Sequence, residues 1–410
     1  MLRAWLIGVC SFSVFVTATS YSAQLPPSQK LSAEDIKGMT QEIDRLERLL
    51  GSANDKNWIE FEIARTYAAG GQYPEAVDWL QRVVNLNLGF DPSRDQLFAN
   101  LRGTKEFGAL IDKIRSSTPP VSNSRTVTTI PETDLFPENF AYDPMRKTFF
   151  IGSTFKDEIV RCPQEGLCEP FVAPKQDGLG HVLGLKIHQL SKTLWVTSNT
   201  DSGASLYHYS LSGKLIHSYP LSGAHLFNDL VVLSSGEVFV TDTKEGSVYQ
   251  LSGEKSTLKR VAPTYVFTAA NGIALSLDER RLFVASFPDG ITVIDLPSES
   301  AKPMPHSANV CLAYIDGLYA LGRGLIAIQN GPMTPRIIRF TLGSDASEIV
   351  GMEILEQRNS LFDGLTTGTV VGNYFYYIAN NQIDKIANGK IKSHARLDPL
   401  QILAVYVGSR

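Results

Sequence analysis

A chain of 410 residues, 43% hydrophobic and 20% charged, has the make-up of a folded globular protein long enough for more than one domain. Its 38 basic and 42 acidic residues leave a net charge of -4 without long runs of one sign, which argues against nucleic-acid binding through phosphate neutralisation. Four cysteines are too few for a disulfide-packed scaffold, and no Cys-x-x-Cys pair offers a zinc site.

Residues 1–23 read as a secretory signal peptide. Arg3 precedes an apolar run from Ala4 to Ala18, and small residues follow at Ser20, Ser22 and Ala23. The mature protein is therefore expected to be periplasmic or secreted, with no membrane span once the leader is removed.

Residues 31–117 carry helical spacing. Ile36, Met39, Ile43, Leu46, Leu49 and Leu50 recur every three or four positions behind Ser32, a candidate N-cap. The stretch Glu62 to Ala76 resembles a tetratricopeptide hairpin, with Ala64 and Ala76 at the close approach of two helices, Tyr67 and Tyr73 between them and Gly71 in the turn. A further helix is predicted from Lys105 to Ser116. One such unit falls short of a free-standing repeat stack, so these helices should lean on a neighbouring domain, with a docked protein partner as the alternative role. Residues 118–126, beginning Thr118-Pro119-Pro120, form the predicted linker.

From residue 127 to 410 the pattern changes to short β-branched and aromatic runs: Thr148–Ile151, Thr193–Val196, Glu237–Val240, Arg281–Val284, Gly324–Ala327 and Tyr374–Tyr377. A triplet precedes each run, starting at Glu138, Leu183, Asn228, Asn271, Asp316 and Asp363, with successive starts 43 to 47 residues apart. Third strands follow, such as Ile159–Arg161 and Leu206–His208. Six matched units of this period predict a mainly β fold, a six-bladed β-propeller, with Arg125–Ile130 and Gln401–Val407 available to close the ring. Within the first unit, Cys162 and Cys168 could close a hairpin in an oxidising compartment, whereas Cys311 reads as a buried small hydrophobe.

In a propeller the triplets converge on the central channel, and five of the six begin with an oxygen-bearing side chain. Carboxylates and amides gathered there call for a cation, and hard oxygen donors favour calcium. Glu138, Asn228, Asn271 and Asp316 are the candidate ligands of one divalent ion. The competing reading of each Asn-Gly or Asp-Gly pair is an ordinary turn.

The segments Phe136-Pro137-Glu138, Phe227-Asn228-Asp229, Ala270-Asn271-Gly272-Ile273 and Ile315-Asp316-Gly317-Leu318 resemble the signatures of the gluconolactonase, regucalcin and senescence-marker-protein family, which is related to the paraoxonases. The resemblance covers Glu138 onward and implies one calcium-like ion near the top of the channel, held by those four residues. It also implies hydrolysis of lactones or related esters, with the ion polarising the carbonyl and water activated by Asp316 or a histidine. Two positions depart from the paraoxonase pattern: Leu183 stands where a histidine is expected, and Asn139 where an acid would hold a second calcium. The one-metal arrangement therefore fits better. His225 is the candidate catalytic histidine, and His181 and Asp363 are candidate substrate contacts. The alternative function is a non-catalytic propeller that binds a small molecule while its helical domain docks a partner.

Overall fold

The computed structural model describes residues 33–52 and 56–408; the predicted leader and Ser32 lie outside them. Among the described residues four α-helices come first: α1 (Ala33–Ser52), α2 (Asn57–Ala69), α3 (Tyr73–Asn85) and α4 (Lys105–Ser117). Between α2 and α3, Gly71 takes a left-handed φ of 70°, and Pro74 stands in the first turn of α3, where its missing N–H costs no helical bond. Ala64 and Ala76 are fully buried, so the two helices meet where side chains are smallest. Thr104 caps α4 by accepting the Phe107 N–H at 3.3 Å. Among the described residues no helix is long and apolar enough to cross a membrane.

The remainder is a six-bladed β-propeller of four-stranded antiparallel sheets. Blade 1 comprises Phe140–Asp143, Thr148–Gly152, Ile159–Pro163 and Glu169–Val172, in that order from the channel outward. The inner strands of blades 2 to 5 are His181–His188, Phe227–Val232, Ala270–Leu275 and Ile315–Leu321. Blade 6 is assembled from both ends of the domain. Gly368–Val371, Tyr374–Ile378 and Leu400–Tyr406 are completed on the outside by Arg125–Ile130, so both segments expected for closure take part.

Second strands are buried on both faces, as in Thr148–Gly152 and Gly324–Gln329, because each blade is sandwiched between two others. That burial on both faces explains the unbroken apolar runs in the sequence. Blades 1 and 2, for example, share a core containing Phe150, Ile159, Val182, Leu185 and Val196. Cys162 and Cys168 are joined by a disulfide.

The helical front packs directly on the propeller. Its core, built on Trp58, Phe61, Leu80, Phe98 and Phe107, continues into Cys311, Ala313, Tyr314 and Met333 of the propeller. The predicted linker is also tied down. Val121 pairs with Gln357 in both directions, and the Asn123 amide donates to the Glu356 carboxylate at 2.6 Å.

Candidate metal centre in the propeller channel

In blades 2 to 5 the first residue of each triplet sits at a local irregularity of its strand. The pairing of first and second strands shifts register between Val182 and Leu185, Phe227 and Leu230, Ala270 and Ile273, and Ile315 and Leu318. These bulges hold Leu183, Asn228, Asn271 and Asp316, one in each of blades 2 to 5. The glycines that follow are strand residues rather than turn formers. A Cβ on Gly272 would lie 2.5 Å from the Asp316 carbonyl oxygen, and one on Gly184 would lie 2.5 Å from that of Asn228. Glycine is needed because neighbouring inner strands approach backbone to backbone near the axis.

Blade 6 departs from the expected triplet. Asp363-Gly364 is a turn, with Gly364 at φ 90°, and Asp363 forms a half-exposed ion pair with Lys385 at 2.8 Å. The inner strand begins later. Gly368 pairs with the fourth residue of its neighbouring strand, as Leu318 does in blade 5, which makes Thr366 the register equivalent of Asp316. The sequence held one signal for this: the gap from site residue to second strand is 8 or 10 residues in blades 1 to 5, 11 from Asp363 and 8 from Thr366.

Thr366 is the meeting point of the site. Its buried hydroxyl lies 2.7 Å from Glu138 Oε1 and 3.2 Å from Asp316 Oδ2. Asp316 also accepts hydrogen bonds from the amides of Asn330, at 2.6 Å, and Asn271. Asn228 stands next along the ring. Its amide donates to Thr243 Oγ1 at 3.2 Å, and that hydroxyl in turn donates to the carbonyl oxygen of Ala270, beside Asn271. Glu138, Asn228, Asn271 and Asp316 are all buried.

Burial raises the Asp316 pKa. Hydrogen bonds from Asn330, Thr366 and Asn271 oppose the rise, and the Asp229 charge adds to it. Asp229, the neighbour of Asn228, is itself buried and raised for the same reason, eased by Lys186. Lys186 lies 5.2 Å from the ring centre of Tyr319, so blades 2 and 5 meet within the channel. Glu138 and Asp316, with the Asn271 amide beside them, offer hard oxygen donors without thiolate or imidazole, a set suited to a divalent calcium-like ion.

His225 lies on the same face of the propeller as these strand starts, just ahead of Phe227, which pairs with Asp242. Its Nδ1 donates to Asp242 Oδ2 at 2.6 Å. Asp242 is fully buried, and its Oδ1 accepts the N–H groups of Leu226, Lys244 and Glu245. Glu245 approaches the same imidazole at 3.6 Å and accepts hydroxyls from Tyr249 and Ser247. The ligand atoms of His225, Asp242 and Glu245 are close enough together to hold a metal. Their existing donors instead describe an oriented imidazole, with Nδ1 committed to Asp242.

His181 is placed by a loop that also supports Glu138. Its Nδ1 faces the Thr154 carbonyl at 2.6 Å and Asp157 Oδ1 at 3.0 Å. Ser153 and Thr154 donate their hydroxyls to Leu135 and Phe136, just ahead of Glu138. Thr366, Asn330 and Asp242 stand outside the triplets, and of the three only Thr366 is marked in the sequence, by its spacing to the second strand.

No family model matches the chain, and no curated protein matches it. Similar solved structures are found at low identity. The major allergen Mala s 1 of Malassezia sympodialis is 13% identical over 70% of this chain and 96% of its own, with a TM-score of 0.51. A gluconolactonase of Xanthomonas campestris is 15% identical over 70% and 97%, with a TM-score of 0.49. A calcium-binding protein, regucalcin, of Agrobacterium tumefaciens is 13% identical over 70% and 96%, with a TM-score of 0.48. At these identities the likeness concerns the fold.

Proposed function

We propose that the channel binds one divalent cation, calcium by preference, and that the protein hydrolyses lactones or related esters at that site. The observation that carries the reading is the convergence of Glu138 and Asp316 on Thr366, with Asn271 bonded to Asp316. Buried carboxylates this close favour a cation among them. When bound, such an ion supplies Lewis acidity toward an ester carbonyl. His225, its Nδ1–H committed to Asp242, accepts the proton of the attacking water at Nε2; Asp316 is the second proton acceptor of the channel. Water oxygen bonds to the carbonyl carbon, the ring C–O bond breaks, and the proton is returned to the leaving alkoxide, giving a hydroxy acid.

The reading includes export. It rests on the leader-like residues 1–23, and a disulfide at Cys162 and Cys168 suits an oxidising compartment.

The test is hydrolysis of a panel of sugar lactones, acyl-homoserine lactones and aryl esters, with calcium or with chelator. Glu138→Gln and Asp316→Asn should each lower turnover at least ~100-fold, a loss typical of removing a metal ligand or proton acceptor. Unchanged turnover in both variants overturns the proposal. Stabilisation by a lactone without turnover turns the reading into that of a binding propeller.

A further inference from the structure

The helical front reaches the candidate metal centre through two separate connections. The first is a buried polar chain. Asp95 Oδ2 accepts from Arg65 Nε at 2.9 Å, Arg65 donates to both Glu62 oxygens, and Glu62 Oε1 accepts the Tyr314 hydroxyl at 2.7 Å. Tyr314 immediately precedes the inner strand of blade 5 and lies two residues from Asp316. Its φ is 57°, a left-handed conformation that costs an aromatic residue ~1 kcal/mol or more and persists only where surroundings impose it. Here those surroundings come from both domains: Phe90 and Phe287 pack edge-on against its ring at 6.0 and 5.0 Å.

The second connection runs through the loop after Gln329. Asn330 donates from one amide to Asp316 Oδ2 and to the Leu365 carbonyl, bridging blades 5 and 6. Three residues on, that loop is pinned to the helical front. Phe90 pairs with Met333, Asp91 N–H donates to the Pro332 carbonyl, and Thr334 N–H donates to that of Gly89. Arg336, buried, donates to the Leu88 carbonyl at 2.8 Å.

We infer that the helical front is a working part of the channel site, with Glu62 and Tyr314 acting as positioning residues for Asp316. This rests on the cation reading above. The hydroxyl of Tyr314, held by Glu62, sets the backbone ahead of Asp316, and the amide of Asn330, on a loop pinned to the front at residues 332–334, sets its carboxylate. Loss of such outer contacts typically weakens metal binding 10- to 100-fold. By reciprocity, a cation bound at Asp316 tightens the helices.

The test uses the full chain and calcium itself. Tyr314→Phe removes one hydroxyl and keeps the ring; its calcium affinity by calorimetry should fall about 10-fold with the circular dichroism unchanged. Affinity within twofold of the parent overturns the inference, provided that Asp316→Asn still abolishes binding. If Asp316→Asn binds calcium normally, the cation reading itself has failed. Should Tyr314→Phe not fold, amide exchange in the parent protein decides. Calcium should slow exchange across residues 57–69 in the parent and not in Asp316→Asn, and indifference of those amides in the parent overturns the inference.

Discussion

His208 shows how a side chain's surroundings set its chemistry away from the channel. It stacks on Trp195 with ring centres 3.9 Å apart, and both ring nitrogens are buried without a hydrogen-bond partner. Burial lowers its pKa to about 4; Glu254 opposes the shift, while His188 and His217 reinforce it. The unfolded chain takes up this proton near the ordinary pKa of about 6.5, and the folded chain does so only near 4. The unfolded state thus binds more protons within that window. Stability should be greatest above pH 6.5 and fall as the pH drops toward 4. His208→Phe keeps an aromatic ring on Trp195 and removes the titration. Its urea midpoint should therefore lose less between pH 7 and pH 4.5 than that of the parent, and an equal loss in both proteins would refute the assignment.

At the scale of the strand, glycines divide into two kinds with opposite consequences. Gly272 sits where a methyl group would meet the Asp316 carbonyl oxygen at 2.5 Å and the Leu318 nitrogen at 2.6 Å. Neither atom can move without shifting the inner strand of blade 5, so Gly272→Ala should destabilise by about 1–3 kcal/mol and, under the proposed function, weaken calcium binding with it. Gly108 lies within α4 with open space around its Cα, so Gly108→Ala should stabilise by about 0.5–1 kcal/mol. Urea titration of both variants checks the contrast, and a neutral Gly272→Ala would contradict the close approach. The same strands show what the sequence made legible. Five inner strands could be located because each triplet stands 8 or 10 residues before a doubly buried strand. Blade 6 misled because Asp363-Gly364 has the composition of a triplet and the geometry of a turn, while its working residue, Thr366, carries no charge to mark it. Asn330 and Asp242 were hidden for another reason: they reach the site from second strands and adjoining loops, whose contacts depend on tertiary packing. The docking of the helical front was legible only as a need for a neighbour. Which blade it chose depends on Tyr314 and Met333, residues that look like ordinary core in the sequence.

For the whole molecule, the connections make one cooperative body out of two differently built parts. Arg125–Ile130, entering from the helical front, forms the outer strand of the blade that also holds Leu400–Tyr406, so opening the ring frees the chain on both sides of the propeller. The front cannot separate without exposing a core that runs from Leu46 and Trp58 through Phe90 to Tyr314 and Met333. It would also cost Arg336 its hydrogen bond to the Leu88 carbonyl. Thermal unfolding should therefore be a single transition, seen together by helical and by strand signals. Under the proposed function, calcium at a hundredfold excess over its dissociation constant adds about 2.7 kcal/mol and should raise that one midpoint by several degrees. Phe90→Ala cuts the shared core at its centre at a cost of about 3–5 kcal/mol, and should lower the midpoint for both signals together. Two separate transitions in the parent, with calcium moving only the one reported by the strands, would show that the front is an appendage and that the site belongs to the propeller alone.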